Sequence, residues 1–277
     1  MPLIIVPTPI GNLEDITLRA LRCLREADII ACEDTRRTAI LLKKYHISNR
    51  TVSYHSHNEK ERTEELMKKL RKGEKVALVS DAGTPGICDP GYVIIKKAID
   101  EGIAVDVLPG PSAVISAIVL SGYSNEPFFF GGFLPDKKGE RDRFLRSCAH
   151  NQQILVFYLS PHKALKHISS MIESLGNRKA VLCREMSKFY EEVYRGDLVS
   201  LAEKISDGIK GEMVIVIAEP LIDEQPDERQ WTDLAAQLCI DGFSDKQVVQ
   251  LITSQYEVSR NVVKRYMIEF KKLDKTK

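Results

Sequence analysis

Residues 76–91 read VALVSDAGTPGICDPG, a short apolar run that empties into a loop punctuated by Gly83, Pro85, Gly86, Pro90 and Gly91. The run Val76–Ser80 predicts a buried strand, because its small and β-branched side chains suit a strand covered on both faces. The loop is longer and richer in turn formers than a helix start requires. The same unit recurs on either side. Leu3–Val6, Ile29–Cys32, Thr51–Tyr54 and Val105–Leu108 are strand-like runs, each followed by a helical pattern. Parallel strands need crossover connections, and those crossovers are right-handed, so residues 1–122 predict an α/β domain with a parallel sheet covered by helices.

The rhythm breaks at residues 123–135, YSNEPFFFGGFLP, which reads as a crossing between domains. A second α/β domain is expected over 123–222. Gln153–Tyr158, Lys179–Cys183 and Met213–Ile217 predict strands. A helix is marked by Ser160 as N-cap, Pro161 at N1, apolar Leu165, Ile168, Met171, Ile172 and Leu175 at helical spacing, and Gly176 as the stop. EPLIDEQPDE at 219–228 is acidic and aperiodic and reads as a linker. Residues 227–277 predict a helical carboxyl-terminal domain of three helices, broken at Asp241-Gly242 and near Glu257–Ser259. The spacing fits a helix-turn-helix or a helical cap packed on the body or on a second subunit.

Charge and composition exclude several classes. With 40 basic and 39 acidic side chains the net charge is +1, so any hold on nucleic acid must come from a local patch rather than a global field. The apolar stretch Ala113–Leu120 is far short of the ~20 residues that span a bilayer. MPLIIVPTPIGN has no basic region ahead of its apolar run, so a cytoplasmic protein without a secretory signal is expected. The six cysteines include no CxxC pair and predict reduced thiols. His55 and His57 have no clear third ligand, and no metal site is expected. GxGxxG, GxxxxGK[ST], HExxH and GxSxG are all missing, which removes the usual dinucleotide, triphosphate, zinc-protease and serine-hydrolase readings.

Ligands of an open parallel sheet bind at the carboxyl ends of its strands. There the chain places PTPIGNLED, EDTR (Glu33–Arg36), SDAGTPGICDPG and PGPSA (Pro109–Ala113). Each loop alone is explicable as turn chemistry or a helix cap. Together they predict a site, with Gly83, Gly86 and Gly110 letting backbone amides approach a ligand.

In order and spacing, VPTPIGNLEDITLRAL, EDTR, VSDAGTPGICDPG and LPGPSA closely resemble the ribosomal RNA small subunit methyltransferase I group of the tetrapyrrole methylase superfamily. GGFLP (131–135), CRE with KFYEEVYRG (183–185, 188–196) and GEMVIVI (211–217) extend the resemblance. It departs at YLSPHK, where the group usually has an acidic residue at the position of Leu159 and arginine at that of Lys163.

The resemblance implies two α/β domains, S-adenosylmethionine in the cleft between them, a homodimer, and methylation of a cytidine 2′-hydroxyl in the decoding region of 16S ribosomal RNA in the small subunit. By matching positions it implies cofactor contacts from Ser80, Asp81, Ala82, Gly83, Thr84 and Pro85, from Gly110, Ser112 and Ala113, from Tyr158, and from Glu212, Met213 and Val214.

A hydroxyl is a poor nucleophile at neutral pH, so the chemistry asks for a general base. Asp34 is the first candidate and Glu185 or Lys188 the alternative, with Arg36 and Arg184 available for phosphate; ion pairs joining the domains are the competing reading of these residues. Lys137, Lys138, Arg141 and Arg143, with the tail lysines Lys271, Lys272, Lys275 and Lys277, form candidate RNA contacts or a solvated face. A methylase of corrin or porphyrin precursors and a non-catalytic RNA-binding assembly factor are the alternative functions.

Overall fold

The computed structural model describes residues 2–123, 126–149, 152–220, 228–256 and 258–274. Strands β1 (Leu3–Ile5), β2 (Ile29–Cys32), β3 (Thr51–Ser53), β4 (Val76–Val79) and β5 (Val105–Val107) form a parallel sheet in the order β3-β2-β4-β1-β5. All residues of β1, β2 and β4 are buried. Their side chains alternate between two cores, as the pleat requires. Ile4, Ile30 and Ala77 face Leu21, Leu24, Leu41 and Leu42 of α1 (Leu18–Glu26) and α2 (Thr35–Lys44). Leu3, Ile5, Ile29 and Leu78 face Leu66, Met67, Ile94 and Ala98 of α3 (Glu59–Arg71) and α4 (Tyr92–Asp100).

Adjacency of β1 and β4 brings together the loops leaving their carboxyl ends. Thr8 and Gly83 exchange two backbone hydrogen bonds of 2.9 Å, and the Thr8 hydroxyl donates to the Ser80 carbonyl at 3.0 Å. Gly83 holds a φ of 72°, a left-handed conformation that costs a residue with a Cβ. Helix α5 (Ala113–Ser121) follows β5, capped by the Ser112 hydroxyl at one end and by left-handed Gly122 at the other. Gly122 is also where the first domain was expected to end. The buried face of α5, Val114, Ala117 and Ile118, shares a core with Val156, Val181, Val214 and Val216 of a second sheet.

That second sheet orders β6 (Phe128–Phe133), β7 (Ile154–Leu159), β8 (Lys179–Arg184), β9 (Glu192–Asp197) and β10 (Met213–Ile217) as β6-β7-β10-β8-β9. Only β6 and β7 run parallel; the other pairs are antiparallel. Its other face is covered by α6 (Lys138–Ala149), α7 (Ala164–Leu175) and α8 (Leu198–Lys204). The short 3-10 turn Pro161–Lys163 precedes α7, with Ser160 at its N-cap. Contacts group residues 1–220 into one compact unit and 221–277 into another.

Two strands differ from expectation. Phe128–Phe133 lies within the segment read as a turn-rich crossing. Its Gly131 is dictated by packing, because a Cβ there would stand 2.3 Å from the Phe157 ring. β9 is an edge strand whose EVYRGD carries charge on both sides of the pleat and so lacks the alternation of a half-buried strand.

The second unit contains α9 (Glu228–Ile240), α10 (Asp245–Gln255) and α11 (Arg260–Asp274) around Trp231, Ala235, Val248, Ile252, Val263 and Met267. Ser244 and Gln247 form a capping box at the start of α10. Residues 221–227 of the expected linker lie outside the described residues, as do Lys275 and Lys277, and the side chains of Lys271 and Lys272 are not described.

Candidate active site

A cavity of about 560 Å³ opens at the carboxyl edge of the first sheet, against the second. The loop after β4 contributes Ala82, Gly83 and Thr84; the start of α5 contributes Ser112 and Ala113; the end of β7 contributes Tyr158; and the start of β10 contributes Glu212, Met213 and Val214. These residues come from four segments far apart in sequence. The remaining expected contacts do not line it. Ser80 is 2% exposed, and its hydroxyl braces the loop from behind by donating to the Ala82 and Gly83 carbonyls. Asp81 turns towards Arg37 and the Asp34 amide. Gly110 packs on Pro7, where a Cβ would lie 2.6 Å from the proline ring, and it borders a neighbouring hollow. Pro85 is buried outside the wall.

Several wall residues were not anticipated: Ile10, Ile87, Cys88, Asp89 and Met186, and an aromatic side made by Phe128, Phe130 and Phe133. Phe130 and Phe133 hold their ring centroids 5.0 and 5.3 Å from Tyr158. Such a wall suits a flat heteroaromatic ring. Burial, with Cys88, Asp89 and Glu212 nearby, pushes the Tyr158 phenol up to about 12 and keeps it neutral.

The rim beside Tyr158 is acidic. Burial lifts the Asp89 carboxyl to about 6, helped by the charges of Glu33 and Asp81. Burial also raises Glu33, with Asp81 as the next cause.

The three candidate bases are each committed elsewhere. Asp34 caps α2 by accepting from the Arg36 amide at 2.8 Å, and it chelates the Arg36 guanidinium at 2.8 and 3.1 Å. Those bonds to Arg36 hold its carboxyl down at about 2, which makes it a weak proton acceptor. Substitution Asp34→Asn keeps a good N-cap. Its single-turnover rate should stay within about threefold of the parent, whereas a drop of about a hundredfold would return the base role to Asp34.

Glu185 Oε1 accepts from the Glu212 amide at 2.8 Å and from Lys188 Nζ at 2.9 Å, and Lys188 also reaches Glu212 Oε2 at 3.0 Å. Burial works to raise Glu185, but the Glu212 amide and Lys188 outweigh it and hold the carboxyl low. Burial works to lower Lys188, yet Glu185 and Glu212 hold its ammonium protonated. Glu185 and Ser187 adopt φ of 50° and 60°, so this turn is held in a conformation that non-glycine residues avoid.

The expected RNA contacts divide. Arg36 and Arg143 are exposed, the former bound to Asp34. Lys137 pairs with Glu140 and Lys138 with Glu173, both at the surface. Arg184 is taken up by Glu192 and the Lys210 carbonyl. Arg141 corrects the prediction: it is 1% exposed, and its guanidinium donates to Ser170 Oγ at 2.9 Å and to the Pro135 and Asp136 carbonyls at 3.2 and 2.9 Å. Its helix face turns inward, so it ties the loop before α6 to α7 and cannot reach a phosphate. At the divergent YLSPHK segment, Leu159 is buried in the core and Lys163 pairs with Asp136.

Residues 2–202 match the tetrapyrrole (corrin/porphyrin) methylases. The chain belongs to that family. This tetrapyrrole methylase is 46% identical over 220 residues to ribosomal RNA small subunit methyltransferase I of Thermotoga maritima, covering 78% of this chain and 97% of the relative. It is 41% identical over 269 residues to the protein of the same name from Halalkalibacterium halodurans, covering 95% and 92%. In fold the tetrapyrrole methylase is similar to uroporphyrin-III C-methyltransferase of Thermus thermophilus in complex with S-adenosylhomocysteine (TM-score 0.56, 19% identity, 78% of this chain and 97% of that one). Diphthine synthase is another similar structure (TM-score 0.59, 19% identity, 79% and 90%).

The cofactor of this tetrapyrrole methylase is S-adenosylmethionine, and the cavity fits it. Its volume lies in the usual range for small-ligand sites, about 300–1,000 Å³. The Phe130–Tyr158 side suits the purine. The acidic rim suits a sulfonium cation. When bound, the cofactor supplies an electrophilic methyl group. The residues Ala82–Thr84, Ser112 and Ala113 would hold it by backbone and hydroxyl contacts, in a wall rigid enough to fix donor and acceptor in line.

Proposed function

We propose that this chain methylates the ribose 2′-hydroxyl of a cytidine in the decoding region of 16S ribosomal RNA, using S-adenosylmethionine. The observation that carries the reading is the 41% identity over 95% of the chain to a ribosomal RNA small subunit methyltransferase I. The composition of the site supports it. Methyl transfer to a hydroxyl needs a sulfonium site, exclusion of water and a nearby carboxylate, and the cavity offers an aromatic wall and an acidic rim. Substrate and product chemistry are read directly by incubating the purified protein with methyl-labelled S-adenosylmethionine and small ribosomal subunits from cells lacking it, then mapping the label. Label on a decoding-region ribose is expected. Label on a base, or on a tetrapyrrole precursor and no RNA, would overturn the reading. A homodimer and a cytoplasmic location belong to the same proposal.

The carboxyl-terminal unit is proposed to add RNA affinity rather than chemistry. The Thermotoga maritima relative is covered to 97% by 220 aligned residues, which leaves it almost no length for a counterpart of α9–α11. A chain ending at Pro220 should therefore still transfer methyl groups at saturating RNA, bind RNA more weakly, and show a shallower dependence of log affinity on log salt as phosphate contacts are lost. Equal affinity and equal slope would refute a role for this unit in RNA binding.

A further inference from the structure

The candidate bases already described leave the reaction without a proton acceptor. Asp34 is bound to Arg36, Glu185 and Lys188 are bound to each other, and Glu212 shares Lys188 with a side chain 63% exposed to water. One carboxylate differs. Asp89 closes the SDAGTPGICDPG loop, lines the cavity, and enters no ion pair among the described residues. It stands where three loops converge, with the charges of Glu33 at the end of β2, Asp81 at the end of β4 and Glu212 at the start of β10 acting on it, and with Cys88 and Tyr158 on the same cavity wall.

We propose that Asp89 is the general base that takes the proton of the attacking ribose hydroxyl. The inference rests on the 2′-hydroxyl reading above. Asp89 accepts the hydroxyl proton on a carboxylate oxygen as the O2′–CH3 bond forms and the S–CH3 bond breaks. The sulfur keeps the electron pair of that bond and becomes a neutral thioether. The proton then leaves Asp89 for water, restoring the carboxylate. The surroundings suit this task, since burial and the facing carboxylates bring Asp89 up to about 6, where it is ionised at neutral pH yet far more basic than an exposed aspartate. A sulfonium in the cavity would lower it again, so the midpoint in the loaded enzyme should lie below that of the free protein.

The isosteric variant Asp89→Asn tests this, with Asp89→Glu as partner and thermal unfolding as a check that both fold. With small ribosomal subunits, the single-turnover rate of Asp89→Asn should fall about 10²–10⁴-fold, Asp89→Glu should recover part of it, and S-adenosylhomocysteine affinity by calorimetry should stay within about tenfold. The parent rate should rise with pH and level off once Asp89 is ionised, and the Asn variant should lose that dependence. A readout independent of turnover is infrared difference spectroscopy of the free protein, where a carboxyl titrating near 6 should vanish in Asp89→Asn. The unchanged parent supplies the rate profile and the infrared titration even if a variant misfolds; a free parent with no carboxyl titrating near 6 overturns the proposal. So does an Asp89→Asn rate within about threefold of the parent, or a pH dependence that survives the substitution. Parent label on a base would sink the ribose reading and this inference together, whereas ribose label with a fully active Asn variant would sink only the role of Asp89.

Discussion

Substituting methionine for Arg141 should lower unfolding free energy by about 2–4 kcal/mol, seen as a shifted urea midpoint with an unchanged slope. The side chain is 1% exposed and bonds the buried Ser170 hydroxyl and two part-buried carbonyls. Methionine fills much of the same volume but donates nothing, so the buried Ser170 hydroxyl would lose its partner and the 135–136 loop its tie to α7. His167 is close by, buried with neither ring nitrogen bonded; burial first and Arg141 second keep it neutral. The same variant should leave the salt dependence of RNA binding unchanged, because a buried guanidinium releases no counterions. A stability loss below about 0.5 kcal/mol, or a shallower salt slope, would return Arg141 to the surface role that its position among Lys137, Lys138 and Arg143 predicts.

A second large effect is expected at Gly11. A Cβ there would lie 2.6 Å from Lys188 Cγ and Ser187 Oγ and 2.8 Å from the Met186 carbonyl oxygen. The side-chain atoms can give way, but the carbonyl belongs to the turn held by left-handed Glu185 and Ser187 and tied to Asn12 through the Ser187 hydroxyl at 3.1 Å. Gly11→Val should therefore push the first-strand loop away from this turn. Ile10 and Met186, on its two sides, both line the cavity, so the cavity would widen. Calorimetry should show S-adenosylmethionine affinity falling at least about tenfold, near 1.4 kcal/mol, with a smaller change for Gly11→Ala. Affinity equal to the parent would mean that the two loops do not jointly form the site.

Much of this was legible in the chain. Strands covered on both faces announce themselves as unbroken apolar runs, which is why β1, β2, β4 and β10 could be read directly. β6 could not, since Gly131 looks like a turn former until the Phe157 ring is seen against it. Within the site, the glycine of SDAGTPG was readable because positive φ has a residue signature. Asp89 stands in the same quoted string, but its properties depend on Glu33, Asp81 and Glu212, which only the folded chain brings near. Arg141 was misread for the same reason: helical spacing gives a face, and only the return of the 135–136 carbonyls tells which side is covered.

The two sheets offer unequal freedom to change. In the parallel sheet, a residue added after β4 displaces the start of α4 and everything that helix covers. The turn between β8 and β9 joins antiparallel neighbours in continuous register from Lys179↔Asp197 to Arg184↔Glu192; Met186 and the Glu185–Lys188–Glu212 bonds anchor its base, while its tip at Phe189 and Tyr190 is exposed and can change length without moving a paired strand. One side of the cavity is thus fixed along its length, whereas the turn bordering the other is anchored at its base through Met186 and free only at its tip. Divergence in the acceptor molecule should accumulate at that tip, while the donor side stays the same.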